Sequence, residues 1–189
     1  MYNSSKATKV AFYGVVSALM FVFLLTETYG LSGLMGNFTP AILTLPFAIS
    51  ISIVGGKKEC LSGGLIFGCC SFFLAVIISN YVFLNPLVSI LPRIFIGIVS
   101  YFVFLLVSKL TKNAKKQFFS KIFPISVSSA FGILTNSVLT IFMMWVFNAT
   151  EIAAVFSVII SLNFVGEVIG AVILCPIYVN VIRKVVKSR

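Results

Sequence analysis

Hydrophobic residues run along this chain in six blocks, separated by short polar connections. The blocks fall at about 8–28, 38–54, 60–79, 84–108, 122–147 and 154–182, each at or above the roughly 17 residues that a membrane-spanning helix needs. The pattern predicts an all-α polytopic membrane protein: six transmembrane helices in one bundle, forming a single domain over residues 1–189. The first block reads as a retained span. It is longer than the apolar region of a signal peptide, and no small-x-small cleavage site precedes a soluble mature chain.

The polar connections set the orientation. Lys6 and Lys9 precede the first block, and Lys57 and Lys58 follow the second. Lys109, Lys112, Lys115, Lys116 and Lys121 follow the fourth, and Arg183, Lys184, Lys187 and Arg189 follow the sixth. The alternate connections, 29–37, 80–85 and 148–153, hold neither Lys nor Arg. Basic loops stay in the cytoplasm, so both termini are expected there. A missed or spurious span would put one basic cluster on the wrong side. The expected location is a cell membrane, with multiple passes through lipid.

Composition agrees and narrows the function. Residues are 60% hydrophobic and only 10% charged, against roughly 25% charged in soluble domains. No catalytic or ATP-binding domain fits outside the membrane. Fourteen basic and four acidic residues give a net charge of +10, but the basic groups lie in the connections and report topology. No nucleic-acid module with interleaved aromatics is present, so no nucleic-acid partner is expected. The 20 Phe residues lie within the apolar blocks. Cys60, Cys69, Cys70 and Cys175 form no Cys-x-x-Cys, and the chain has no His. They read as small packing residues, and no metal or cofactor is expected.

Ionisable groups within a span cost about 2.5–3.5 kcal/mol each at the helix centre and are functional candidates by default. Arg93 in the fourth block and Glu167 in the sixth qualify. Glu27 is expected near the outer end of the first span, within reach of the interface, and Glu59 and Glu151 in solvated connections. Counting inward from the outer face puts Arg93 about nine residues deep, or roughly 13 Å. Asn163 and Glu167 fall about nine and thirteen residues deep, and Asn136 about eleven, at 1.5 Å per residue. Three helices therefore bring Arg93, Asn136, Asn163 and Glu167 to one level.

Spacing reinforces this. Asn163 and Glu167 are i and i+4, on one face, beside Gly166 and Gly170. Asn136 has Ser129, Gly132 and Thr140 at helical spacings, and Arg93 has Ser89 and Gly97. Pro92 removes a backbone hydrogen bond at this point and is expected to kink the helix. The result is a candidate pocket of small and hydrogen-bonding groups open toward the outer leaflet. The bland alternative is an Arg93–Glu167 pair that merely locks the bundle, a weak source of stability after desolvation. For Asn136 and Asn163, interhelical hydrogen bonding is an equal alternative. The outer connection from Tyr29 to Asn37 carries three glycines, one aromatic residue and no charge. It is either a lid over the pocket mouth, contributing Tyr29 and Asn37 to a ligand, or an ordinary glycine-rich connection.

Small residues also recur three or four apart. Ala7, Ala11, Gly14 and Ala18 form a stripe in the first block, and Gly64-x-x-x-Gly68 and Gly166-x-x-x-Gly170 occur in the third and sixth. Such spacing lets helix backbones approach closely, either within the bundle or against another membrane protein.

With six short spans, cytoplasmic termini, about 190 residues and the Gly14-x-x-x-Ala18 stripe, the whole chain resembles the substrate-binding S components of energy-coupling factor (ECF) vitamin transporters. Gly14 stands where that family usually has Ala. Asn85-Pro86, Pro92-Arg93, Thr135-Asn136 and Asn163-x-x-x-Glu167 are most similar to the pantothenate-type branch. The resemblance implies capture of a vitamin from outside, between spans four to six and beneath the first outer loop. It implies docking through Ala11, Gly14 and Ala18 onto a transmembrane coupling subunit, with two cytoplasmic ATPase subunits supplying ATP hydrolysis. Arg93 would bind the pantothenate carboxylate, and Asn136 and Asn163 its amide and hydroxyls. Glu167 has three open roles: orienting Arg93, accepting a substrate hydroxyl, or staying protonated. Two other classes compete. One is an autonomous small transporter or channel, which the missing internal repeat disfavours. The other is a membrane enzyme, for which His, Asp and paired carboxylates are lacking.

Overall fold

A computed structural model describes residues 6–35, 41–57, 59–80, 83–112, 118–147 and 164–187. The described residues hold six α-helices: α1 (Lys6–Met35), α2 (Thr44–Gly55), α3 (Cys60–Ile77), α4 (Pro86–Leu110), α5 (Phe123–Val146) and α6 (Phe164–Lys187). A π-helical turn, Phe118–Ile122, leads into α5. All but α2 are long and apolar enough to cross a membrane. The chain is an all-α, polytopic membrane protein.

Helix α2 is the centre of the bundle. Its 12 residues rise about 18 Å, less than the roughly 30 Å hydrocarbon core. Every residue from Thr44 to Ile53 is buried, packed chiefly against α3, α4 and α6. A helix apolar on all sides belongs in such a position. Its internal hydroxyls bond back to the preceding turn, Ser50 Oγ donating to the Pro46 carbonyl at 2.6 Å and Ser52 Oγ to that of Ala48 at 3.1 Å, and Ser50 also reaches Cys175 of α6 at 3.2–3.3 Å. The second apolar block is expected to turn helical from residue 38. The helix instead starts at Thr44, and residues 36–40 lie outside the described part.

Close backbone approach builds the α3–α4 contact. A Cβ on Gly64 would run into the main-chain carbonyl of Arg93, and one on Gly68 would meet Ile90. The third-block glycines are thus spent on packing within the bundle. Helices α4 and α5 run antiparallel in a register fixed at two points. Gly132 faces Ser100, and Met144 packs with Val88.

Prolines interrupt two helices, and each freed carbonyl finds a donor. Pro176 in α6 cannot donate to the Val172 carbonyl four residues back, and Ser126 Oγ of α5 donates there at 3.2 Å. Pro92 in α4 likewise frees the Val88 carbonyl, which Arg93 takes up.

The basic ends gather on one side. Lys9 Nζ pairs with Glu59 Oε1 at 3.3 Å, the Tyr13 hydroxyl donates to Glu59 Oε2 at 2.8 Å, and Arg183 lies over the Phe104 ring at 5.9 Å. Glu59 is therefore not a solvated loop residue, since its side chain is 17% exposed. Its place in the tight turn between α2 and α3 brings it against α1.

Helix α1 also runs further than expected. The glycine-rich stretch after Tyr29 continues the helix through Met35 rather than forming a loop. Glycine costs about 1 kcal/mol per helical position, but propagating an existing long helix needs no new nucleus.

Candidate ligand site

The residues singled out from the sequence converge in part. Arg93, Glu167 and Asn136 each lie about fifteen or sixteen residues above a basic residue at the cytoplasmic end of their element: Lys109, Arg183 and Lys121 respectively. At 1.5 Å per residue that is about 22–24 Å along each element, and the α4–α5 register, with Gly132 at Ser100 and Met144 at Val88, sets Asn136 somewhat deeper than Arg93, by about 4–5 Å. Asn163, Asn37 and Glu151 lie outside the described residues. Tyr29 is 66% exposed on α1, carried by the extended helix rather than by a flexible loop.

Arg93 is 7% exposed and is held from several directions. Its Nη1 donates to the Val88 carbonyl at 2.8 Å, replacing the bond that Pro92 cannot make. Phe67 of α3 and Phe83 lie 5.7 and 5.2 Å from the guanidinium carbon, so the cation sits between two ring faces. Ser89, one turn before Arg93, donates to the Phe83 carbonyl at 2.5 Å and so anchors the segment that carries that ring. Asn85-Pro86 begins the same helix: the Asn85 side chain accepts from the Leu87 amide at 3.0 Å, a helix cap with Pro at the first position.

Among the described residues Lys9–Glu59 is the ion pair within 4.0 Å. The locking pair of Arg93 and Glu167 is not formed. Glu167 Oε1 accepts from the Ala41 amide at 3.1 Å instead. Glu27, placed near the interface by the sequence, is 2% exposed. Its Oε1 accepts from the Leu43 amide and, at 3.1 Å, from the Thr44 amide. Its Oε2 accepts from Thr44 Oγ1 at 2.5 Å. Both carboxylates thus serve the start of α2, where backbone amides lack helical partners and the helix dipole is positive. Glu27 was missed because its depth along α1 is visible in the sequence while the helix start beside it is not. A Thr following the apolar run into α2 was the available signal.

Four buried side-chain polar atoms have no hydrogen-bond partner among the described residues: Arg93 Nε, Ser100 Oγ, Asn136 Oδ1 and Thr140 Oγ1. Leaving such a group unpaired costs about 1–3 kcal/mol, so four on one pair of helices is a large concentration of unmet bonding. All four sit on α4 and α5. The arrangement offers a cation, an amide and two hydroxyls to a polar molecule, and no nucleophile with an adjacent base.

The small stripe of α1 faces outward. Ala7, Ala11, Gly14 and Ala18 are exposed, and nothing lies within 4 Å of a Cβ placed on Gly14.

No family model matches the chain. A curated protein from Lactococcus lactis subsp. cremoris (strain MG1363), "Pantothenic acid transporter PanT", is 26% identical over 203 aligned positions, covering 96% of this chain and 97% of the relative. The relative is a bacterial transporter and not an enzyme, in line with a non-enzymatic, multi-pass protein of the cell membrane. From end to end, the chain is similar to a transporter of pantothenic acid.

Proposed function

We propose that this chain captures pantothenate at the outer side of the membrane as the S component of an ECF-type importer. The observation that carries this reading is Arg93: a buried guanidinium with an unpartnered Nε and no carboxylate in ion-pair contact among the described residues. A cation so placed is suited to an anionic ligand. Asn136 is the amide partner on the neighbouring helix, and Asn163, Tyr29 and Asn37 remain candidates around the mouth. Glu167 holds the entry to α2 and biases Arg93 electrostatically. ATP hydrolysis comes from a separate module of one transmembrane coupling subunit and two ATPase subunits, docked through Ala11, Gly14 and Ala18. Their outward, uncommitted positions support an external partner.

Titration of the purified protein with pantothenate tests the capture step. Wild type is expected to bind tightly, Arg93→Ala to bind at least a hundredfold more weakly, a loss of about 2.7 kcal/mol, and both to remain monodisperse. Unchanged affinity of Arg93→Ala removes the carboxylate clamp. Pantothenate uptake by the chain alone in liposomes would replace the importer with an autonomous carrier.

A further inference from the structure

The buried hydroxyls of the described residues divide unevenly. Thr44, Ser50, Ser52, Ser89, Ser128 and Ser129 all have partners. Ser100 and Thr140, 0% and 7% exposed, do not. Serine and threonine inside helices ordinarily bond back to a carbonyl of the preceding turn, as Ser50, Ser52 and Thr135 do here. The exceptions lie on the facing sides of α4 and α5, together with Asn136 Oδ1 and Arg93 Nε.

Their order along the seam follows from the helix register. Ser100 Oγ faces Gly132, with the Ile49 side chain beside it, and this closes the seam from below. Asn136 is one turn outward on α5. Thr140 is one turn further, at the level of Pro92 and Arg93 given that Met144 meets Val88. From Gly132 to Thr140 the seam rises about 12 Å.

We infer that Ser100, Asn136, Thr140 and Arg93 form a ladder that reads an extended, acyclic monocarboxylate, its acid outermost at Arg93 and Thr140, its amide at Asn136 and its hydroxyl end lowermost at Ser100. This rests on the vitamin-capture reading and adds two ligand-contacting residues, Ser100 and Thr140, and a direction of binding.

The test compares pantothenate with N-pivaloyl-β-alanine, which keeps the acid and the amide but ends in a tert-butyl group without hydroxyls. Binding is measured calorimetrically on the purified full chain, with thermal melting as the control for folding. Thr140→Val weakens pantothenate about tenfold at an unchanged melting temperature, the loss of one hydrogen bond. Wild type prefers pantothenate over the pivaloyl compound, and Ser100→Ala abolishes that preference. Ser100→Cys serves if Ser100→Ala loses its melting transition. Pantothenate affinity unchanged in both variants, as when buried water alone satisfies the hydroxyls, overturns the ladder while leaving vitamin capture intact. A Ser100 variant that weakens both ligands equally overturns the direction of binding. Wild type that binds neither ligand overturns the ladder together with the function it rests on.

Discussion

Helices α1 and α3 carry the same sequence feature, small residues four apart, and use it in opposite ways. In α3 the glycines face inward, where Gly64 lies on the backbone of α4 and Gly68 on Ile90. In α1 the stripe points away from the bundle, and Gly14 has open space around it. What holds α1 is instead its other face, with Val16, Met20 and Leu24 buried, and polar contacts near both ends. Small-residue spacing therefore reports that a close approach is possible, and burial alone tells whether the approach is made within the chain.

The comparison can be broken at either helix. Gly64→Leu has the largest expected effect. A side chain there must displace the α4 backbone at Arg93, beyond the roughly 1–3 kcal/mol of ordinary overpacking, so the detergent-purified protein should elute as aggregate in size exclusion. Glu27→Ala comes next. It leaves the start of α2 with unpaired donors and is expected to cost about 3 kcal/mol, read as a lower melting temperature. Tyr13→Phe removes one hydrogen bond to Glu59 and should cost about 1 kcal/mol; a Tm equal to wild type would mean that the cytoplasmic end of α1 is held by apolar contacts alone. Smallest on stability is Gly14→Leu, expected to leave the melting curve and pantothenate binding unchanged while reducing recovery of the coupling subunit in pull-down. If recovery is unaffected, the outward stripe meets only lipid.

The sequence makes some of this legible and hides the rest for physical reasons. Hydropathy marks the helices, and the lysines mark which ends share a side, because both depend on one dimension along the membrane normal. For the same reason the depths of Arg93, Asn136 and Glu167 can be counted to within about one helical turn. Which way a side chain faces depends on packing, which hydropathy and charge do not carry. Glu27 has the expected depth but is turned inward onto α2, and Glu59 is drawn against Lys9 and Tyr13. The glycines after Tyr29 suggest a loop by propensity, yet the helix continues. Ser100 and Thr140 look like ordinary span hydroxyls until their neighbours prove to be paired and they do not.

The attachment of α1 has a mechanical consequence. Glu27 and the Lys9–Tyr13–Glu59 cluster are separated by fourteen to eighteen residues of α1, about 21–27 Å of rigid rod, and they tie it to the start of α2 and to the turn between α2 and α3. Tension on the smooth outer flank of α1, whether from a thinning bilayer or from a bound protein, reaches the innermost helix at its start and the turn that follows it. The same rod thus serves as handle and as crank.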